Sequence, residues 1–393
     1  MISRDRDVTA GVVAEPEVAS RTRPVLITGG AGFIGCNLAH RLLREGRRVI
    51  LFDNLSRSGV EQNVRWLRDT HGDAVELCIG DVRDGEAVRR AVARAGQVFH
   101  FAAQVAVTTS LDDPTNDFTV NARGTMNVLE AIRTADYRPP LVFTSTNKVY
   151  GGLDDVALVE DASRYTPQSE AIASRGIGEA RRLDFHSPYG CSKGTADQYV
   201  LDYARSFGLR TAVFRMSCIY GPHQFGTEDQ GWVAHFLIRA IDGQPLVLYG
   251  DGKQVRDILF VEDLVDAFVR AQKNISTIAG QAFNIGGGAS RTISLLELLD
   301  LIADMHGQRP EVAFQNWRTG DQRYYVSDTA KFSAATGWRQ TVAVEDGVRR
   351  LYDWLQERRT DVGRTRSTSH RRHVVVDPIP DDSTVLPAPG GAQ

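Results

Sequence analysis

From residue 25 to residue 144 the chain alternates short apolar runs with stretches in which apolar residues recur every third or fourth position. Residues 25–28, 48–53, 75–80, 97–101 and 141–144 are the apolar runs, and residues 37–45, 60–69, 85–95 and 118–134 carry the helical period. A strand apolar on both faces needs cover on both faces, which means a parallel sheet joined by crossover helices. Right-handed crossovers then lead to a doubly wound parallel sheet of the Rossmann α/β class. The second half reads differently. After a sixth strand at 211–215 come a helix at 232–241, a strand at 246–249, a helix opening at Glu262 and another at 294–306. In the last of these, Ser294 followed by Glu297 predicts a capping box. The pattern therefore predicts a first domain over 24–188, interleaved with the helix around 189–193 and the strand at 210–215. A smaller α/β C-terminal lobe over 216–358 is expected to close over the crevice of the sheet.

With 393 residues the chain can hold two packed lobes, and 42% apolar with 24% charged residues is ordinary for a soluble globular protein. A formal charge of −3 gives no electrostatic case for nucleic acid or an anionic membrane as partner. No apolar run reaches the roughly 18 residues of a membrane helix. Residues 1–23 lack the apolar block of a signal peptide, so the expected location is cytoplasmic. Cys36, Cys78, Cys191 and Cys218 are scattered without a CxxC pair and read as free thiols in a reducing compartment. Both ends, 1–23 and 359–393, read as disordered tails. In the second, His370, Arg371, Arg372 and His373 form a basic patch that is either solvated or a contact for a phosphate-rich partner.

The strongest local signal lies between the first strand and the first helix. Gly29, Gly32 and Gly35 have the spacing GxxGxxG, with Phe33 and Ile34 opening the helix. A tight turn and a close backbone approach to a pyrophosphate need residues without side chains, and the helix N-terminus supplies amide donors. Asp53, at the end of the second strand and followed by Asn54, suits the ribose hydroxyls of NAD and repels the 2′-phosphate of NADP; Arg57 nearby is the one residue that could serve that phosphate. Asp81 and Val82 are placed beside the adenine, with Asp81 equally readable as a helix N-cap. Ala102, Ala103 and Gln104 after the fourth strand, together with Asn121, complete the candidate cofactor set.

Tyr189 and Lys193 are four residues apart and share a helix face. A phenol near pH 10 is a poor base at neutral pH, and lowering it by about three units needs roughly 4 kcal/mol from neighbouring positive charge. Alone, YxxxK is a common accident. Thr146, at the carboxyl end of the fifth strand, adds a hydroxyl that can orient a reacting oxygen. Arg256, Arg318 and Arg323 are candidates for a substrate diphosphate, with a surface ion pair as the lesser alternative for each, and Asn147 and Lys148 are candidates for sugar contact.

These elements, with Tyr220-Gly221-Pro222, Arg256-Asp257 and Asn284-Ile285-Gly286, resemble the extended short-chain dehydrogenase/reductase family of NAD-dependent nucleotide-sugar epimerases and dehydratases over residues 24–356. Residues 52–57, 104–110, 145–151, 183–194, 229–233 and 252–257 are similar to the CDP-paratose 2-epimerase branch of that family. Met216 and Pro222-His223 depart from that branch, which tends to carry His and Gly-Arg there, so the sugar and the base stay open. The resemblance implies bound NAD and a CDP- or UDP-linked sugar. It further implies transient oxidation to a keto sugar with re-reduction on the other face, centred on carbon 2, with a 4-epimerase as the alternative. It also implies a homodimer or homotetramer paired through helices at 118–134 and 194–207. Related dehydratases carry an Asp-Glu pair directly after the Thr; Asn147 and Lys148 cannot do that acid/base work. A non-catalytic NAD sensor would be expected to have lost Tyr189 or Lys193.

Overall fold

Seven strands pair in parallel as the central sheet: β1 (Val25–Thr28), β2 (Val49–Asp53), β3 (Val75–Ile79), β4 (Gln97–His100), β5 (Leu141–Thr146), β6 (Thr211–Met216) and β7 (Gln281–Ile285). The computed structural model describes residues 22–318 and 320–369, the last ten as backbone only. Strand order is β7-β6-β5-β4-β1-β2-β3, so the direction of winding reverses between β1 and β4, where Ile27 pairs with Leu51 on one side and Phe99 on the other. Such a reversal opens a crevice at the carboxyl ends of the strands.

Both faces of the sheet are covered, as the wholly apolar strands demand. On one face Leu38 and Leu42 of the helix Phe33–Arg44 pack with Leu264 and Phe268 of the helix Val261–Lys273. On the other, Val88 and Val92 meet Val128 and Leu129, with Ala196 and Val200 of the long helix Ser187–Phe207. A third core, around Phe236, Leu237, Leu298, Leu299 and Val348, belongs to the smaller lobe. There the strand Val255–Phe260 pairs with Cys218–Tyr220, Thr292–Ser294 and Tyr324–Tyr325. The expected capping box is present: the Glu297 amide donates to the Ser294 hydroxyl at 3.1 Å, and the Ser294 amide to the Glu297 carboxylate at 2.9 Å.

The partition at residue 216 needs correcting. The helix Val261–Lys273 and β7 return to the large sheet, so the span 216–358 is not one body. β7 escapes the hydrophobic pattern because buried Asn284 interrupts it, its side chain bonded to the Ile177 carbonyl and the Tyr150 hydroxyl at 2.8 Å each. Likewise Arg256 and Asp257 disguise the strand Val255–Phe260, although both are buried. The helical stretch expected at 118–134 is divided: Pro114–Phe118, a π-helical turn at Thr119–Arg123, then Gly124–Thr134. All four cysteines are free. The tail expected from residue 359 begins inside the last helix, Val344–Ser369. Residues 1–21 and 370–393, with the basic patch, lie outside the described residues. Among the described residues no helix is long and apolar enough to cross a membrane.

One buried ion pair joins β6 to the helix Ser187–Phe207. Arg215 reaches Asp197 through two contacts of 2.9 Å, with side-chain exposures of 5% and 0%. Removing one partner of such a pair strands a charge in the interior, at about 3–5 kcal/mol. Asp197→Ala is therefore expected to lose stability on that scale in urea unfolding; a loss under about 1 kcal/mol would show that water reaches Arg215.

Candidate active site

A cleft of about 900 Å³ crosses the carboxyl ends of the strands and is lined from both lobes. Its first half is backbone. Gly29 has φ +68°, and a Cβ there would lie 2.8 Å from the Ala102 amide nitrogen; a Cβ on Gly35 would lie 2.4 Å from the Gly29 carbonyl oxygen. Gly32 caps the helix Phe33–Arg44 with no side chain bonded to the first amides, leaving that N-terminus available to an anion. Asp53 accepts from the amides of Ala31 at 3.0 Å and Leu55 at 2.9 Å. Burial raises its carboxyl, and these two bonds and Arg57 pull it down.

The other candidate cofactor residues divide. Phe33, Ile34, Asn54, Arg57, Asp81, Val82, Ala102, Ala103 and Gln104 line the cleft, whereas Gly35 and Asn121 do not. Asn121 is buried beneath the loop: its Oδ1 accepts from the Gln104 amide at 2.9 Å, and its Nδ2 donates to Asp117 and Ser192 at 3.1 Å each. It holds the floor of the cleft. Asp81 is not the helix N-cap; Asp84 is, accepting from the amides of Glu86 and Ala87. Asp81 instead takes Arg83 in a 2.7 Å ion pair and Asn54 Nδ2 at 3.0 Å, and the Arg83 bond holds its carboxyl down at about 2. Sequence reasoning missed a further support. His100 links Thr28 (2.6 Å) and Thr125 (3.0 Å), and burial followed by the Lys193 charge lowers its pKa to about 3, so a neutral ring braces the floor. Polar residues inside apolar strands give no local signal of such a role.

Thr146, Tyr189 and Lys193 converge in the middle of the cleft. The Lys193 ammonium donates to the Thr144 carbonyl at 2.6 Å and lies 4.3 Å from the centre of the Phe143 ring. Burial lowers it to about 7, opposed by Asp197 and Asp117. Tyr189 is only 8% exposed, and burial pushes its phenol up to about 12; the nearby Thr146 hydroxyl pulls it down, Asp117 adds to the rise, and the Arg57 guanidinium opposes it. The expected lowering of the phenol by Lys193 is not found, because that ammonium is turned to the Thr144 carbonyl.

The second half carries charge already in pairs. Lys148 donates to the Gly320 carbonyl at 3.0 Å and lies 3.8 Å from Asp321, which also holds Arg256 at 2.8 Å. Arg318 meets Glu228 at 2.8 Å and Asp229 at 3.5 Å while stacking on Tyr249 at 3.7 Å. Arg57 hydrogen-bonds Gln230. The segment 228–230 and Asp321 thus line the cleft, outside the candidate residues read from the sequence. Arg323 is excluded: it is exposed and lies outside the cleft, over Tyr165 and Trp317. Met216 lines the cleft as expected, but Pro222 and His223 do not; His223, at φ +69°, is held between Trp66 (4.0 Å) and Trp354 (5.2 Å).

A doubly wound sheet with a glycine turn, an acid at the end of β2 and Thr, Tyr and Lys over the crevice defines an NAD-dependent enzyme of the short-chain dehydrogenase type. The model of the NAD dependent epimerase/dehydratase family matches residues 25–286, and the chain belongs to that family. It is 45% identical to CDP-paratose 2-epimerase of Salmonella typhi over 84% of this chain and 98% of that one. It is 33% identical to UDP-glucose 4-epimerase of Mycolicibacterium smegmatis over 85% and 98%. Among solved structures it resembles the UDP-glucose 4-epimerase of Thermus thermophilus in complex with NAD, with TM-score 0.70 and 33% identity over 85% of this chain and 99% of that one.

Two outcomes follow from this geometry. Gly29→Ala adds both a left-handed strain of about 1–3 kcal/mol and a clash with Ala102; NAD binding is expected to weaken at least about tenfold by that energy, read by calorimetry. The second concerns pH. Lys193 is lowered to about 7 in the folded chain, against about 10.4 unfolded. Between these values the unfolded chain binds a proton that the folded one has released, so this group adds stability as pH rises. The urea midpoint of the ligand-free protein, relative to Lys193→Met, should shift in favour of the native residue between pH 7 and pH 10. An unchanged difference would mean the ammonium stays charged in place.

Proposed function

We propose that this enzyme is a 2-epimerase of a CDP-linked hexose or deoxyhexose. The observation that carries the reading is the Thr146–Tyr189–Lys193 set over the cleft with Asn147 and Lys148, not a carboxylate pair, beside Thr146. Elimination of water needs one group to give and another to take a proton, and neither neighbour is a carboxylate that could supply that pair. Epimerisation through a keto sugar needs, beside the hydride carrier, only one group that removes and restores a hydroxyl proton. The identity to CDP-paratose 2-epimerase over nearly its whole length favours carbon 2 and a CDP-sugar over the 4-epimerase alternative.

The glycine turn, the uncapped helix N-terminus and Asp53 fit NAD, whose phosphates and ribose they would hold. Bound there, the dinucleotide supplies the hydride acceptor and donor. Tyr189 takes the proton of the sugar hydroxyl and later returns it; Thr146 orients that oxygen. Lys193 would hold the cofactor ribose, turning from the Thr144 carbonyl to do so. Arg256 and Arg318 are suited to the substrate diphosphate, which would compete with Asp321, Glu228 and Asp229 for them. Leu111, Phe118, Tyr199 and Phe207, all exposed on neighbouring helices, suit the pairing of two copies. A monomeric mass in sedimentation would overturn that.

Incubation with CDP-glucose, CDP-paratose and UDP-glucose in deuterated water, followed by NMR, tests the reaction. Inversion at carbon 2 with hydrogen retained and no added NAD is expected, strongest with a CDP-sugar. Inversion at carbon 4 would move the assignment to the 4-epimerase, and no turnover would sink the choice of substrate. Tyr189→Phe should lose at least about a hundredfold in kcat, the scale of general base catalysis, while still binding NAD. Undiminished turnover would remove Tyr189 from the chemistry.

A further inference from the structure

We infer that Gln322 is a positioning residue that fixes, through Asn147, the direction of the Thr146 hydroxyl. The inference rests on the proposed role of Thr146 and Tyr189 and adds a residue outside the candidate set read from the sequence. Three side chains form a directed chain. Gln322 Nε2 donates to the Gly151 carbonyl at 2.6 Å. Gln322 Oε1 accepts from Asn147 Nδ2 at 2.9 Å. Asn147 Oδ1 accepts from the Thr146 hydroxyl at 3.3 Å.

The polarity of that chain is forced at its far end. A backbone carbonyl can only accept, so the Gln322 amide must turn its nitrogen to Gly151 and its oxygen to Asn147. Asn147 must then turn its nitrogen to Gln322 and its oxygen to Thr146. Gln322 is fully buried, and Asn147 and Thr146 are 8% and 7% exposed, so water does not scramble the order. Thr146 is also held from the other side, accepting from the Lys148 amide at 3.2 Å. Its proton therefore rests on Asn147 in a long bond, and a stronger acceptor at the phenol or the sugar oxygen takes it without moving the oxygen. Were the Asn147 amide reversed, a donor would face Thr146 and compete for the lone pairs that hold it in register. Gln322 comes from the opposite lobe, 175 residues from Asn147, so the seating of that lobe is coupled to the hydroxyl at the centre of the cleft.

The test is a double-substitution cycle on the NAD-loaded enzyme. Gln322→Met keeps the volume and removes both bonds; kcat is expected to fall about ten- to a hundredfold, the scale of a misplaced catalytic group, with KM and NAD content near the parent's and a lower melting temperature, since two buried polar groups lose a partner. Combined with Asn147→Ala it should be no slower than Asn147→Ala alone, because Gln322 acts only through that amide. Multiplying losses, or a Gln322→Met enzyme as fast as the parent, would overturn the inference. Where the Met variant does not fold, Gln322→Glu serves: it keeps an oxygen facing Asn147 Nδ2, so kcat should stay nearer the parent's than that of Asn147→Ala, and an equal fall overturns the relay. Tyr189→Phe run alongside separates the two levels. Turnover surviving there defeats the reading of the whole site and the relay with it; a dead Tyr189→Phe with an additive cycle defeats the relay alone.

Discussion

The bidentate pair between Arg215 and Asp197 holds the helix Ser187–Phe207 against β6, and the reactive part of the cleft depends on it. Asp197 lies one turn beyond Lys193 and two beyond Tyr189, so the contact that fixes it fixes them. It also sets charge. Asp197 is the first of the groups opposing the loss of the Lys193 proton in a site that burial would otherwise empty. A neutral substitute at 197 would thus leave Arg215 unpaired and Lys193 poorer in positive charge together.

The charges around the cleft show a second constraint. Arg256, Arg318 and Lys148 each meet a carboxylate before any ligand arrives, and two of the three share theirs, Asp321. A free cluster of cations would repel itself and bind any passing anion; paired ones are held in place at a cost in affinity. On the proposed reading a diphosphate must outcompete these carboxylates. The site then discriminates against single phosphates, which cannot reach several guanidinium groups at once.

What could be read from the sequence is what is local. The turn at Gly29 to Gly35, Asp53 at a strand end and the Ser294–Glu297 box are each specified by a few adjacent residues, and each stands where expected. The failures are non-local. β7 is a strand of the main sheet only because the chain returns to it after the smaller lobe, and its Asn284 is paid for by partners at Tyr150 and Ile177. Gln322, Asp321 and the 228–230 segment enter the site through contacts far along the chain. Arg323 shows the converse: the same residue type as Arg318 and five positions away, it lies over Tyr165 and Trp317 and does not line the cleft. Spacing cannot decide which way a loop residue faces.

The protonation of the reactive pair was the least legible property, since it depends on how dry the site is. A lysine four residues after a tyrosine suggests a phenol already lowered by its neighbour. The folded site reverses the order: burial dominates both groups, lifting Tyr189 to about 12 and bringing Lys193 to about 7. Of the groups that pull the phenol down, Thr146 and Arg57, neither overcomes desolvation. Burial therefore favours the protonated phenol, and the Lys193 ammonium, turned to the Thr144 carbonyl, does not offset it. The same burial thus acts on the two members in opposite directions, disfavouring the phenolate and the ammonium alike.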